Sequence, residues 1–216
     1  MSSKGILCLS IGPYSPQTVA LHILSLLLYG LRDLWWVLDN IKLHQIFTCE
    51  NLSPSDIEWK TLWVIGVGSI GRSLIKMCQG FDLKILGYDI SPDVRSSIEY
   101  NFTYVPLDEL LRQSDFIVLA CNLTENNRNM INNESLKLVK EGAILINCAR
   151  GALIHEEALL QHINKFKFVW LDTICQENEQ WIKKLTWYKN IFISPHMAHL
   201  SETTIKKRWH MTYDLI

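Results

Sequence analysis

Neither sign of charge is in excess in this 216-residue chain: 21 lysines and arginines stand against 22 aspartates and glutamates, for a formal net charge of −1. Proteins that hold nucleic acid by its phosphates show a positive excess or a basic stripe, so no nucleic-acid partner is expected. The basic cluster Lys206-Lys207-Arg208 reads as a solvated helix face. A membrane span is also missing. The longest apolar stretch, residues 19–31, holds His22, Ser25 and Gly30 and falls well short of the roughly 20 residues a span requires. Where a small-residue cleavage site would follow the short apolar opening, the chain reads Gly12-Pro13-Tyr14-Ser15-Pro16, and no signal peptide is expected. Cys8, Cys49, Cys78, Cys121, Cys148 and Cys175 form no CxxC pair, and no histidine stands at metal-ligand spacing. No metal site is therefore expected, and the compartment reads as reducing and cytoplasmic. Cys78, Cys121 and Cys148 lie in apolar segments and read as small core residues.

What is present is an ordinary globular composition, 48% hydrophobic and 20% charged, too apolar for disorder. After the Pro- and Ser-rich opening comes one long helical pattern over 18–43, then a polar connector over 48–60. From there short apolar runs alternate with amphipathic stretches. The runs predict strands at 61–67, 83–89, 116–120, 143–147, 168–171 and 191–194, with a weaker one near Tyr104. Helices are expected at 70–81, 107–112, 133–139 and 155–165. Strands that are apolar throughout, each followed by a helix, indicate a mostly parallel sheet covered on both faces. The expected fold class is α/β, doubly wound.

Gly66-Val67-Gly68-Ser69-Ile70-Gly71 fits G-x-G-x-x-G. It follows a strand and opens a helix, the context in which free helix-start amides hold a pyrophosphate. The next strand ends in Asp89, whose carboxylate suits both hydroxyls of an adenosine ribose and repels a 2′-phosphate. NAD is thus expected over NADP; the plainer alternative is that Asp89 caps the turn before Ser91-Pro92. This is the signature of a Rossmann-type dinucleotide-binding domain.

Three more segments put polar groups at strand ends, where ligands bind in open α/β sheets. They are Asn147-Cys148-Ala149-Arg150-Gly151, Leu171-Asp172-Thr173-Ile174-Cys175-Gln176-Glu177 and Ser194-Pro195-His196. With the glycine turn and Gly12-Pro13-Tyr14-Ser15-Pro16, they make a chain that resembles the D-isomer-specific 2-hydroxyacid dehydrogenases, and within them the D-lactate dehydrogenase branch. The resemblance runs from about Gly5 to the C-terminus.

The resemblance implies an oxidoreductase that interconverts a small 2-keto acid and a D-2-hydroxy acid with NAD, and a catalytic trio of Arg150, Glu177 and His196. The chemistry suits those types. Reduction leaves negative charge on the carbonyl oxygen, which an imidazolium at His196 can protonate. Glu177 beside it would favour the charged ring, and the Arg150 fork matches a substrate carboxylate. Cofactor contacts are implied for Gly66, Gly68, Ser69, Ile70, Gly71, Asp89, Cys121, Asn122, Asn129, Cys148, Ala149, Arg150 and Asp172, the last at the nicotinamide carboxamide. Each polar residue also has a plainer reading: Arg150 as a surface cation, Glu177 as part of the polar run 176–180, His196 as a loop histidine with His199 three positions on.

The chain departs from the family at several places. Residues 1–14 correspond only to the crossover from a substrate domain, 15–200 to the NAD-binding domain, and 201–216 to the start of a returning helix. The expectation is a cleft with one wall and weak turnover. The alternative function is a non-catalytic NAD-binding sensor or scaffold of the same superfamily. After the fourth strand Ala120-Cys121-Asn122 replaces the family's His-Thr-Pro, and the family's acidic residue after Val-Ala is Leu21. A Gly-rich approach to Asp172 is replaced by Lys165-Phe166-Lys167-Phe168-Val169-Trp170, whose bulk is expected to crowd the strand. The 18–43 helix carries more leucine and tryptophan than a one-sided surface helix needs. The resemblance implies a homodimer there; cover by a substrate domain is the alternative.

Overall fold

The computed structural model of the chain describes residues 11–213. Cys8, most of the expected crossover and the end of the returning helix lie outside the described residues. Seven strands form one all-parallel sheet: β1 (Thr61–Ile65), β2 (Lys84–Tyr88), β3 (Thr103–Tyr104), β4 (Phe116–Leu119), β5 (Ala143–Asn147), β6 (Phe166–Leu171) and β7 (Ile191–Ile193). Their order is β3-β2-β1-β4-β5-β6-β7, so the winding reverses between β1 and β4. Carboxyl ends of strands at such a reversal are where open sheets bind ligands.

Every residue of β1, β4 and β5 is buried, as the unbroken apolar runs require of strands covered on both faces. Alternation along β1 splits the interior in two. Leu62 and Val64 join the core under α1 (Pro16–Leu31) and α3 (Ser69–Met77). Trp63 and Ile65 face the opposite core. Around that core run α5 (Leu107–Gln113), α6 (Asn133–Leu138), α7 (Glu156–Gln161) and α8 (Glu179–Thr186). The other helices are α2 (Leu34–His44), α4 (Val94–Glu99) and α9 (Glu202–Tyr213). The spacing gave no sign of α4, and the polar run 176–180 hid the start of α8. Asn178 caps α8 by accepting the Trp181 amide, and Trp181 and Leu185, one helical turn apart, are buried.

The expected single helix over 18–43 is two helices, α1 and α2, bent by 68°. Asp33 breaks it with a left-handed backbone, φ 55°. Its carboxylate is 5% exposed, accepts the Ser53 amide at 2.8 Å and pairs with Lys167 Nζ at 2.9 Å. Lys167 also donates to the carbonyls of Leu31 and Ser53. A buried ion pair survives only where such extra hydrogen bonds offset its desolvation, and here they require the helix to end. α2 therefore swings away from the core and buries none of its residues fully. Among the described residues no single helix is long and apolar enough to cross a membrane.

The bulk on β6 is accommodated rather than crowded. A Cβ at Gly30 of α1 would lie 2.5 Å from the Phe168 ring, so the missing side chain there is the space that Phe168 fills. Phe192 of β7 stacks on both Phe168 (5.1 Å between centroids) and Trp170 (5.8 Å), and Trp35 of α2 leans on it at 5.5 Å. Of the three cysteines read as core residues, Cys78 and Cys148 are buried and Cys121 is partly exposed.

Candidate active site

The turn from β1 into α3 is shaped by two glycines and opened by a third. Gly66 has φ +92°, and a Cβ there would meet the Cys121 backbone at 2.5 Å. A Cβ on Gly71 would lie 2.2 Å from the Gly66 carbonyl oxygen. At Gly68, by contrast, nothing stands within 4 Å. Gly68 is the N-cap of α3, so the amides of Ser69, Ile70 and Gly71 start the helix without intrahelical acceptors. The cradle fits a pyrophosphate. Asp89 takes up the rest of the geometry: Oδ2 accepts the Val67 amide at 2.8 Å and Oδ1 the Ser91 amide at 2.9 Å. The capping alternative and the ribose reading are thus compatible, because each carboxylate oxygen keeps a further lone pair.

Beside this turn, the segment after β4 is organised by Asn127, which the sequence reading missed. Its amide donates to the Asn122 carbonyl at 2.7 Å and approaches Cys121 Sγ at 3.9 Å, while its Oδ1 accepts the Thr124 amide. A capping-box spacing, Thr124 to Asn127, was the available signal. Asn122 is exposed, and burial pushes the Cys121 thiol up to about 11. Asn129, at φ 52°, donates its amide to the Ala152 carbonyl, tying this segment to the one after β5.

At the end of β5, Asn147 is fully buried. It accepts the Ala149 amide and donates to the Arg150 carbonyl, curling residues 147–150 into a tight turn. Cys148 and Ala149 point inward, and burial holds the Cys148 thiol well above its ordinary value. The Arg150 side chain is exposed, its Nη1 resting on the Ala149 carbonyl at 2.7 Å. Gly151 follows because a Cβ there would strike the main chain of Ile174 at 2.3 Å. The Arg150 turn and the segment leading to Glu177 are therefore in backbone contact.

Asp172, 1% exposed at the end of β6, anchors the segment that carries His196. Oδ1 accepts the Ser194 hydroxyl at 2.6 Å and the Met197 amide at 2.9 Å, and Oδ2 accepts the Ala198 amide at 3.0 Å. Trp170 Nε1 donates to Ser194 Oγ, extending the chain of bonds. Of the two carboxylate oxygens, Oδ2 has a lone pair left for a ligand amide. His196 itself has φ 52° and gives its amide to the Asp172 carbonyl. Its exposed ring stands edge-on to His199, 5.5 Å between centroids. Burial, then the charge of His196, lowers His199, and burial lowers His22 of α1 against the opposing pull of Asp172.

The structure thus gathers Arg150, Glu177 and His196 at one end of the sheet with the glycine turn. It does not bring Glu177 to His196: Glu177 is exposed and forms none of the ion pairs found among the described residues.

Comparison with known proteins follows the same lines. Residues 24–198 match the family model for the D-isomer specific 2-hydroxyacid dehydrogenase, NAD binding domain. The chain is 36% identical over 148 residues to a glyoxylate reductase of Pyrococcus horikoshii, covering 68% of this chain and 44% of that protein. It is 31% identical over 220 residues to a D-2-hydroxyacid dehydrogenase (NAD+) of Lacticaseibacillus paracasei, covering 95% of this chain and 66% of that one. Among solved structures, D-lactate dehydrogenase from Aquifex aeolicus, complexed with NAD and lactic acid, superposes with a TM-score of 0.88 at 29% identity over 98% of this chain and 68% of that chain. The chain accordingly spans 44% and 66% of the length of the two relatives from Pyrococcus and Lacticaseibacillus.

Proposed function

The chain belongs to the D-isomer-specific 2-hydroxyacid dehydrogenase family through its NAD-binding domain, and from that premise we propose that it interconverts a small 2-keto acid and a D-2-hydroxy acid with NAD. The observation that carries this reading is the convergence of the open glycine cradle, the exposed Arg150 fork and the Asp172-anchored His196 segment at the carboxyl ends of β1, β5, β6 and β7.

The amides of Ser69, Ile70 and Gly71 would hold the pyrophosphate, and Asp89 would take the ribose hydroxyls and disfavour a 2′-phosphate. Cys121, beside Gly66, with Asn122 and Asn129 would line the cofactor, and Cys148 and Ala149 would back its nicotinamide side. When bound, the reduced cofactor supplies a hydride to the keto carbon. Arg150 grips the substrate carboxylate through its planar fork and polarises the carbonyl. His196, protonated, gives its proton to the carbonyl oxygen as the new C–H bond forms, and recovers it in the reverse direction. Glu177 stands exposed at the same end of the sheet as the third member of the trio, and Oδ2 of Asp172 would accept from the carboxamide.

Residues 15–200 form the nucleotide-binding unit in this reading, with α9 entering the returning segment that the family resemblance implies. The exposed apolar side of α2, with Leu34, Leu38 and Ile41 each more than 40% open, supports a homodimer. A cytoplasmic, membrane-free setting completes the proposal.

One observation favours a second reading, an NAD-binding protein without turnover: Glu177 and His196 stand apart. Steady-state assays of NADH oxidation with pyruvate, glyoxylate and larger 2-keto acids, with chiral analysis of the product, separate the two. The enzyme reading expects D-product and loss of turnover in His196→Ala. Tight NADH binding with no turnover of any keto acid establishes the second reading, and absence of NADH binding overturns both.

A further inference from the structure

Glu156 is an acid in an unusual place. It is 5% exposed at the first position of α7, and it forms none of the ion pairs found among the described residues. A buried carboxylate without a cation is costly unless its oxygens are satisfied by donors. Those donors come from the segment around Glu177. Oε1 accepts the Cys175 amide at 2.8 Å, and Oε2 accepts Trp181 Nε1 at 2.5 Å. Burial pushes the carboxyl up, and the bonds from Cys175 and Trp181 pull it back down.

Residues 173–177 are otherwise poorly tied. Among the described residues no backbone–backbone hydrogen bond outside helices and strands reaches them. The Glu156 carboxylate grips this turn on both sides of Glu177, two residues before it and four after. The same side chain follows the Arg150-Gly151 turn, whose glycine already lies against the Ile174 main chain.

We propose that Glu156 is a positioning residue: its buried carboxylate holds the Glu177-bearing turn in register with Arg150. The proposal rests on the catalytic reading of Arg150 and Glu177 given above. An apolar residue at 156 would fill the same space without tethering the turn.

The test compares three proteins: the native chain, Glu156→Ala and Glu156→Gln/Trp181→Phe. In the double variant the glutamine oxygen accepts the Cys175 amide, and the amide nitrogen no longer faces an indole N–H. Amide hydrogen exchange over 173–178, NADH affinity, and kcat and KM for 2-keto acid reduction are read on each. Losing a hydrogen bond to a buried charged group raises exchange in 173–178 about tenfold in Glu156→Ala, with NADH affinity unchanged. Turnover falls mainly in kcat, with KM little changed. The double variant, which keeps the Cys175 bond and loses the Trp181 bond, recovers part of both readouts. Unchanged exchange in Glu156→Ala overturns the proposal, as does raised exchange with unaltered kcat. If the native chain turns over no keto acid, the catalytic reading fails separately, and exchange alone decides whether Glu156 holds the turn.

Discussion

At the glycine turn the geometry is carried by main chain, with Gly66 and Gly71 packed on backbone atoms and Asp89 bonded to two amides. At the ends of β5, β6 and β7 it is carried by buried carboxylates, Asp172 and Glu156, which reach across to other segments and leave the reactive side chains exposed. The first region is set by close backbone packing at Gly66 and Gly71. The second is assembled by side-chain carboxylates that accept amides from other segments, such as Glu156 from Cys175 and Asp172 from Ala198. A cofactor cradle and a reactive site thus fail in different ways when perturbed: one by steric closure, the other by loosening.

The largest effect should come from closing the cradle. Gly66→Ala places a Cβ at φ +92° and 2.5 Å from the Cys121 backbone. Strain and displacement of about 3 kcal/mol should cut NADH affinity roughly hundredfold, as titration calorimetry would report. Native affinity in Gly66→Ala would break the comparison at its first term. Next, Asp172→Asn turns an N–H toward the Ala198 amide while Oδ1 keeps Ser194 and Met197. A destabilisation of about 1–3 kcal/mol is expected in urea unfolding, with NADH affinity falling about tenfold through the carboxamide contact alone; a loss as large as that in Gly66→Ala would show that the two regions are not independent. Smaller again is Asp89→Ala, which removes the carboxylate from the ribose side. The native preference for NADH over NADPH should narrow about tenfold, and equal affinities in the native chain would refute the assignment of Asp89.

The smallest effect is one of pH. His22 and His199 both lie below the ordinary value of 6.5 in the folded chain, chiefly through burial. The unfolded chain therefore binds more protons just below pH 6.5, so stability rises as pH increases through that value and is lost on acidification. The groups facing them, Asp172, His196 and Arg208, set how much each contributes. In thermal melts between pH 5 and pH 8, His22→Leu should flatten the slope without reversing it; an unchanged slope would remove His22 from the account.

The sheet was legible because its strands are buried on both faces and need no partner to be recognised as apolar. The glycine turn was legible because its three glycines fall within six residues at a recognisable spacing. Asp33 was not: its reason to break the helix is Ser53, 20 residues on, and Lys167 on a distant strand. The types of Arg150, Glu177 and His196 were readable from motif order. The lack of an ion pair between Glu177 and His196 was not, since it depends on how segments from two different strand ends are laid beside each other. Asn127 and Glu156 were passed over for one reason. Each looks like a surface polar residue until the segment it holds is folded against it.

Gly30 and Phe168 impose an order on change. A methyl group added at Gly30 meets the aromatic ring at 2.5 Å, and overpacking of that kind costs about 1–3 kcal/mol. Trimming Phe168 to alanine first leaves a cavity worth about 3–5 kcal/mol, which Gly30→Ala would then partly refill. Each substitution is harmful alone and milder in the company of the other. A lineage carrying this bulky β6 strand can return to a slender one only through an intermediate weaker than either end.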